Sequence, residues 1–270
     1  MKIFVNEIAL KYDGKQTAGA VQSCYKPEAD VLLCNGAPVN LNHKIVENDH
    51  LILIKRGEVP SKTDLEILMR SRNPRIFNSA IKGRTIGIAG VGGLGSVVAV
   101  ALARSFVKKL ILVDFDVVEP SNLNRQQYFT DQLGFPKVEA LKDNLLRINP
   151  YLEIECVNRH ITAENTVAIF RDADIVAECF DTAEAKAMLV QQVLSSLTCK
   201  IVAASGVAGF SHLEALKYRK LSSRFYLIGD GESAAVPGQG LTAAKVGIAA
   251  NMQAAKIIEL LIEEYDDHKS

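Results

Sequence analysis

The sequence predicts an α/β protein: a doubly wound, mostly parallel sheet with an antiparallel extension, preceded by a small α+β unit. Three observations carry this. From Arg84 onward, short apolar runs alternate with amphipathic stretches of helical period, as strands buried between two helix layers require. A glycine-rich turn, Gly90-Val91-Gly92-Gly93-Leu94-Gly95, joins the first such run to the first such helix. The first 57 residues instead hold short strand-like runs around one weak helical stretch.

Taken in order, the early strand-like runs are Lys2 to Asn6, Asp30 to Cys34 and Leu51 to Lys55, with the helical stretch near Thr17 to Cys24. Asp13-Gly14, Asn35-Gly36 and Asn48-Asp49 punctuate them as turns. A unit of fewer than about 60 residues buries little surface, so docking on something larger would help it. Glu58-Val59-Pro60-Ser61 reads as a linker, because Pro stops a strand and Ser61 can cap a helix, Lys62 to Ser71, with Asp64 at its third position. The domain plan is therefore 1–57, a linker and helix over 58–83, and 84–270. In the last part the strands are Thr85 to Ala89, Leu110 to Asp114, Glu153 to Asn158, Ile175 to Cys179 and Lys200 to Ala204. Helices near Leu94 to Ser105, Lys137 to Ile148, Ala163 to Phe170 and Ala183 to Leu197 separate them, and right-handed crossovers give a Rossmann-like sheet. His212 to Arg219 and Arg224 to Ile228 are too close for an intervening helix and predict the antiparallel extension. A Gly, Ser and Pro loop, Gly231 to Gly240, precedes a last helix from Thr242 to Glu264.

Composition narrows the function. Thirty-one basic residues balance thirty-one acidic ones, so no global field favours nucleic acid or an anionic membrane, and any anion site must be local. With 48% hydrophobic and 23% charged residues among 270, disorder, collagen and coiled coil drop out. The apolar run Val97 to Ala103 is far short of the about 20 residues of a membrane span, and the first residues lack a secretory apolar region, which predicts a cytoplasmic protein. Cys24, Cys34, Cys156, Cys179 and Cys199 are odd in number and show no CxxC spacing, which suits reduced core thiols. No HxxxH, HExxH or GxSxG pattern occurs.

The glycines at Gly90, Gly92 and Gly95 match G-x-G-x-x-G between a strand and a helix. That turn, with Gly93 and Leu94, offers backbone N–H groups and a helix N-terminus to a phosphate. Asp114, nineteen residues past Gly95 at a strand end, stands where a carboxylate binds ribose hydroxyls, with Asp116 beside it. Up to here an NAD-dependent oxidoreductase explains the pattern equally well. Arg125, and Lys137 at the start of a helix, add cations suited to a triphosphate, or each is a solvated surface charge. Asp181 follows the strand Ile175 to Cys179, where a carboxylate could hold magnesium against phosphates, or Asp181 or Thr182 could serve as a helix cap.

The set GVGGLGS (Gly90 to Ser96), VDFD (Val113 to Asp116), SNLNRQ (Ser121 to Gln126), Pro136-Lys137 and CFD (Cys179 to Asp181) resembles the ThiF/MoeB/HesA family, relatives of ubiquitin-activating enzymes. The resemblance runs from about Arg70 into the last helix and includes Pro237-Gly238-Gln239-Gly240-Leu241. It implies adenylation of the C-terminal carboxylate of a ubiquitin-like sulfur carrier ending in Gly-Gly, with ATP and magnesium, by a homodimer. It also implies roles: Asp114 on ribose, Arg125 and Lys137 on the phosphates, Asp181 on magnesium, and Asn122 and Asn124 as polar groups near ribose and phosphate. The family's Arg-x-x-Arg-Gln motif, which sends an arginine into the partner's site, is here Met69-Arg70-Ser71-Arg72-Asn73-Pro74, leaving Arg72 as the candidate.

Departures from the family sharpen the expectation. The paired CxxC motifs of many members are missing, which predicts no zinc, and no cysteine follows Cys199, which predicts adenylation without a covalent enzyme intermediate. Cys179 is read as packing. Residues 1–57 resemble ThiS, the β-grasp sulfur carrier, through Met1 to Glu7, Asp30 to Gly36 and Leu51 to Gly57. Gly57 runs on into Glu58 with no free carboxylate, so the fused module would dock on a subunit, mimic the carrier or help dimerise, unless cleavage after Gly57 releases it. A ThiS-type carrier and thiamine thiazole synthesis follow from the resemblance; another sulfur carrier, or a nucleotide-binding scaffold without turnover, stands beside them.

Overall fold

A computed structural model describes residues 1–210, 212–233 and 240–267. The chain forms two compact units, Met1–Asn73 and Pro74–Ser270. The smaller contains β1 (Lys2–Val5), β2 (Ile8–Lys11), α1 (Ala18–Tyr25), β3 (Val31–Cys34), β4 (Ala37–Pro38), β5 (His50–Ile54) and α2 (Lys62–Arg70). Its sheet runs β2-β1-β5-β3-β4, with β1 and β5 parallel and the other neighbours antiparallel. Alternation puts Ile3, Val5, Leu32, Leu51 and Leu53 on one face, where Ala18 and Val21 of α1 close the core, a ubiquitin-like β-grasp arrangement. Strand β2 escapes a pattern search because most of it is exposed and lacks alternation. Ser61 caps α2 by accepting the Asp64 amide at 3.2 Å, as the sequence predicts.

The division after Asn73 lies inside the segment 58–83 set aside as linker and helix. A helix not foreseen there, α3 (Arg75–Ile81), belongs to the larger unit, where Ala80 and Ile81 are buried. It is followed by β6 (Thr85–Ala89), α4 (Gly93–Arg104), β7 (Lys109–Val113), α5 (Lys137–Ile148), β8 (Glu153–Val157), α6 (Ala163–Phe170), β9 (Ile175–Glu178), α7 (Ala183–Ser196), β10 (Lys200–Ala204), β11 (Lys217–Lys220), β12 (Phe225–Gly229) and α8 (Ala243–Asp267). The sheet order is β11-β12-β10-β9-β6-β7-β8, Rossmann-like, with β11 its antiparallel edge.

The two late runs pair antiparallel with each other, as their spacing predicts, but Arg224 to Ile228 also pairs parallel with β10 and so continues the main sheet, leaving β11 as the one antiparallel strand of this sheet among the described residues. The connection from β10 runs over the carboxyl edge, through a 3-10 turn at Leu213–Ala215, and β11 lies outside β12.

Both faces of the sheet are covered. Leu94, Val98 and Leu102 of α4, Leu141 and Leu145 of α5, and Ile257, Leu260 and Leu261 of α8 share one core with Ile86, Ile88, Leu110 and Leu112. Phe170 of α6 and Leu189 and Val193 of α7 pack with Ile111, Val113, Val176 and Ile201 on the other. No helix among the described residues is long and apolar enough to cross a membrane. Much of the loop Gly231 to Gly240, including Pro237-Gly238-Gln239, falls on 234–239 and lies outside the described residues.

Candidate functional site

Strand order reverses between β6 and β9: the chain lays β7 and β8 to one side and returns to place β9, β10 and β12 on the other. Open α/β sheets take ligands at the carboxyl ends of the strands beside such a reversal. There the larger unit holds a cavity of about 660 Å³.

The turn from β6 into α4 forms one wall. Gly90 adopts φ +85°, its amide donates to the Val113 carbonyl at 2.8 Å, and a Cβ on Gly95 would collide with the Gly90 carbonyl oxygen. Glycine at both positions lets α4 begin directly against the turn. Gly92 caps α4 without a side-chain hydrogen bond, so the first helix amides are left for an anion. Gly92, Gly93 and Leu94 line the cavity; Gly90 and Gly95 support them from beneath. The Tyr128 hydroxyl donates to the Val91 carbonyl at 2.7 Å and Ser96 Oγ to that of Gly92 at 2.6 Å, fixing the loop. Burial, with the charges of Asp114 and Asp116, pushes the Tyr128 phenol upward, so it remains a donor.

Asp114, just after β7, joins that wall to the next. One carboxylate oxygen accepts the Val91 amide at 2.8 Å and the other the Asp116 amide at 2.9 Å. Asp116 pairs with Lys137 Nζ at 2.7 Å, and the Lys137 side chain is only 7% exposed, so it is no solvated surface lysine. Asn122 is buried in the wall, its side chain accepting the Glu119 amide at 3.1 Å and shaping the 3-10 turn Pro120–Asn122. Arg125 reaches the cavity from that turn, held by the Ser121 carbonyl at 3.1 Å and Asn124 Oδ1 at 2.9 Å. Asn124 itself is exposed and does not line the cavity; it braces Arg125.

Asp181 lies exposed on the cavity rim. Thr182 rather than Asp181 caps α7, accepting the Ala185 amide at 3.4 Å, so the carboxylate is not consumed by the helix. The cavity therefore gathers Asp114, Asp116, Asn122, Arg125, Lys137 and Asp181 with the glycine loop. Arg72 sits exposed on the smaller unit, after α2. The Cys179 thiol is buried and pushed upward by burial, with Glu178 adding, which keeps it neutral and unreactive.

Several residues at the cavity have no role assigned by the sequence, Phe115 and Gln126 among them although they lie within VDFD and SNLNRQ. Phe115 and His160 meet in the wall with ring centroids 4.8 Å apart. Gln126 is buried in the wall, and its Oε1 has no hydrogen-bond partner among the described residues. Glu178, fully buried, pairs with Lys186 of the wall at 3.1 Å. Its signal in sequence was one carboxylate inside an otherwise apolar strand. Burial pushes the Glu178 carboxyl above its ordinary range, opposed by Lys186 and the Phe180 amide. Asp230, after β12, faces buried Lys245 at 3.6 Å, and Lys245 donates to the Ala208 carbonyl at 2.7 Å, tying the β10 and β12 loops together. Burial alone would raise the Asp230 carboxyl, but the Ser233 and Glu232 amides and Lys245 hold it below its usual range.

The chain is similar to known proteins in sequence and in fold. The ThiF family model matches residues 74–270, and a ThiS-like ubiquitin model matches 1–57. The molybdopterin-synthase adenylyltransferase of Escherichia coli is 32% identical over 192 residues, covering 67% of this chain and 74% of that protein. Ubiquitin-like modifier-activating enzyme 5 of Caenorhabditis briggsae is 40% identical over 117 residues, 39% of this chain. The chain spans only 27% of the length of that protein and 34% of its Caenorhabditis elegans counterpart. Among solved structures, the E. coli tRNA N6-threonylcarbamoyladenosine dehydratase in complex with AMP superposes with a TM-score of 0.65 at 19% identity, covering 72% of this chain and 92% of that one. E. coli MccB with ATP superposes at 0.56 and 22% identity, covering 76% of this chain and 63% of that one. These two share the fold.

Proposed function

The chain belongs to the ThiF family, and from that premise we propose that it adenylates the C-terminal Gly-Gly carboxylate of a ubiquitin-like sulfur carrier of the ThiS type, in the cytoplasm, for thiamine thiazole synthesis. The observation that carries this is the meeting, at one cavity, of uncapped helix amides, a ribose-type carboxylate, two cations and a rim carboxylate. The donor set fits magnesium ATP. Asp114 retains lone pairs for ribose hydroxyls beyond the two amides it accepts. The α4 amides seat a phosphate, and Arg125 and Lys137 face charge developing at the α-phosphorus. No group of three or more His, Cys, Asp or Glu side chains able to hold a metal forms among the described residues, so Asp181 would share magnesium with phosphate oxygens. When bound, the ion neutralises phosphate charge.

The carrier carboxylate oxygen attacks the α-phosphorus, an O–P bond forms, and the bond to the bridging oxygen of the β-phosphate breaks. Pyrophosphate leaves and the carrier becomes an acyl-adenylate. Arg72 acts on the phosphates of the partner subunit in a homodimer, and no zinc or enzyme-bound thioester takes part.

Exchange of labelled pyrophosphate into ATP tests this with intact ThiS, ThiS lacking Gly-Gly, and no carrier. Exchange should need the intact tail and fall about 100-fold or more in Asp181→Ala. Absence of exchange with every carrier would overturn the enzyme reading and leave a nucleotide-binding scaffold. The 32% identity to molybdopterin-synthase adenylyltransferase supports a second reading, a molybdopterin-type carrier, and the same assay with that carrier separates the two.

A further inference from the structure

The turn from β9 into α7 carries Asp181, whose side chain is exposed and whose neighbour Thr182 does the capping. The place of the Asp181 carboxylate therefore depends on the backbone of the turn. Two groups behind the cavity wall set that backbone. Glu178, the last residue of β9, is 0% exposed, and its Oε1 accepts the Phe180 amide at 2.7 Å, pinning the Cys179–Phe180 peptide, one link before Asp181. Lys186, in the second turn of α7, donates to Glu178 Oε1 at 3.1 Å, to Oε2 at 3.2 Å and to the Ala204 carbonyl at 2.8 Å. An ammonium has three donors, and all are engaged. Although Lys186 lines the cavity, its donors are all taken, whereas Lys137 Nζ makes one such bond, to Asp116, so Lys186 is not assigned to the phosphates.

A buried pair of this kind costs desolvation that its attraction only partly offsets, and apolar residues of similar size would stabilise the fold as well. What an apolar pair could not do is tie three elements together by direction: the end of β9, the start of α7 and the end of β10. Asp181 lies between Glu178 and Lys186 in the chain and inside that tie. We propose that Glu178 and Lys186 are positioning residues that hold the β9–α7 turn so that Asp181 presents its carboxylate to the metal ion beside the phosphates. This rests on the reading of Asp181 as the magnesium-binding carboxylate.

The test is metal binding rather than turnover. Free Mn2+ is followed by electron paramagnetic resonance while it is titrated into the full-length chain saturated with a non-hydrolysable ATP analogue. Wild type, Asp181→Ala, Glu178→Gln and the double variant Glu178→Gln/Lys186→Met are compared. The double variant removes both charges together, so it should keep cooperative unfolding. It should bind Mn2+ about tenfold more weakly or worse, as loss of groups that orient a metal ligand does. Metal-free affinity for the analogue should stay at the wild-type value. Glu178→Gln alone, isosteric and still able to accept from Phe180, should show a smaller loss in the same direction. Wild-type Mn2+ affinity in both variants, with a loss in Asp181→Ala, would overturn the positioning role and leave the Asp181 reading standing. Wild-type affinity in Asp181→Ala would overturn both. An equal loss of metal-free analogue affinity would also overturn it, because that marks general damage to the cavity.

Discussion

The two units treat buried charge differently. In the smaller, Ile3, Val5, Leu32, Leu51 and Leu53 form the core, and Asp49 is its one buried charged side chain among the described residues. In the larger, Lys137, Glu178, Lys245 and Lys256 are all buried. Lys137 is in the cavity wall, Glu178 holds Lys186 of that wall, and Lys245 holds the carbonyl of Ala208, also in the wall. Asp49 instead accepts the Val46 amide and the Asn35 side-chain amide, each at 2.8 Å, and serves a turn. Burying charge costs several kcal/mol per ion unless it is paired. The smaller unit keeps that cost to one turn, whereas the larger accepts it at three residues around its ligand cavity and at Lys256, which pairs with Glu259 on α8 away from the cavity.

The strongest way to break this comparison is at glycine. Gly95→Ala would drive a Cβ into the Gly90 carbonyl and displace the β6–α4 turn; ATP-analogue affinity should fall about 100-fold, measured by calorimetry. Gly36→Ala meets no neighbour, but its φ of +84° suits glycine, so it should cost the smaller unit roughly 1–2 kcal/mol in urea unfolding and leave nucleotide affinity unchanged. An effect of Gly36→Ala on the nucleotide would erase the distinction. Next in size are the cores. Phe170→Ala should destabilise the larger unit by about 3–5 kcal/mol and Leu51→Ala the smaller by about 2–5 kcal/mol, both residues being fully buried. Only Phe170→Ala should lower the temperature at which nucleotide binding is lost.

The smallest expected effect is one of sign with pH. Burial alone would raise the Asp49 carboxyl, but the Val46 amide, the Asn35 side chain, the Cys34 thiol and His43 hold it below its ordinary value of 3.8. A lowered folded value gives stability that is present above about pH 4 and lost as pH falls. The penalty of Asp49→Asn should therefore shrink below that pH. Glu178 is shifted the other way, so its contribution is present below its ordinary 4.5 and lost as pH rises. Glu178→Gln/Lys186→Met should gain on wild type as pH rises through that region. Parallel slopes for the two in urea unfolding would show that folding does not shift these two carboxyls in opposite directions.

Much of this was legible in the chain. Apolar strands such as Leu110 to Val113 and helices such as Lys137–Ile148 announce themselves by local periodicity, and the glycine spacing with Asp114 marks the nucleotide end of the site. What was not legible has identifiable causes. The seven-residue helix α3 is too short for a helical period to stand out. Strand β12 looks the same in sequence whether its neighbour runs parallel or antiparallel, because the apolar run Phe225 to Ile228 has no polar alternation to tell the two apart. At Asp181-Thr182 both residues can cap a helix, and only the backbone shows that Thr182 does.

By itself, then, the sequence determined the two-unit plan, the alternation of strand and helix, and the residue types available at the carboxyl edge, since those depend on spacings of a few residues. The tertiary structure decided which of them meet. Asp116 and Lys137 are 21 residues apart, Lys186 and the Ala204 carbonyl 18, and Lys245 and the Ala208 carbonyl 37. Such contacts arise only when parallel strands bring their carboxyl ends to one edge, and no local period encodes that register.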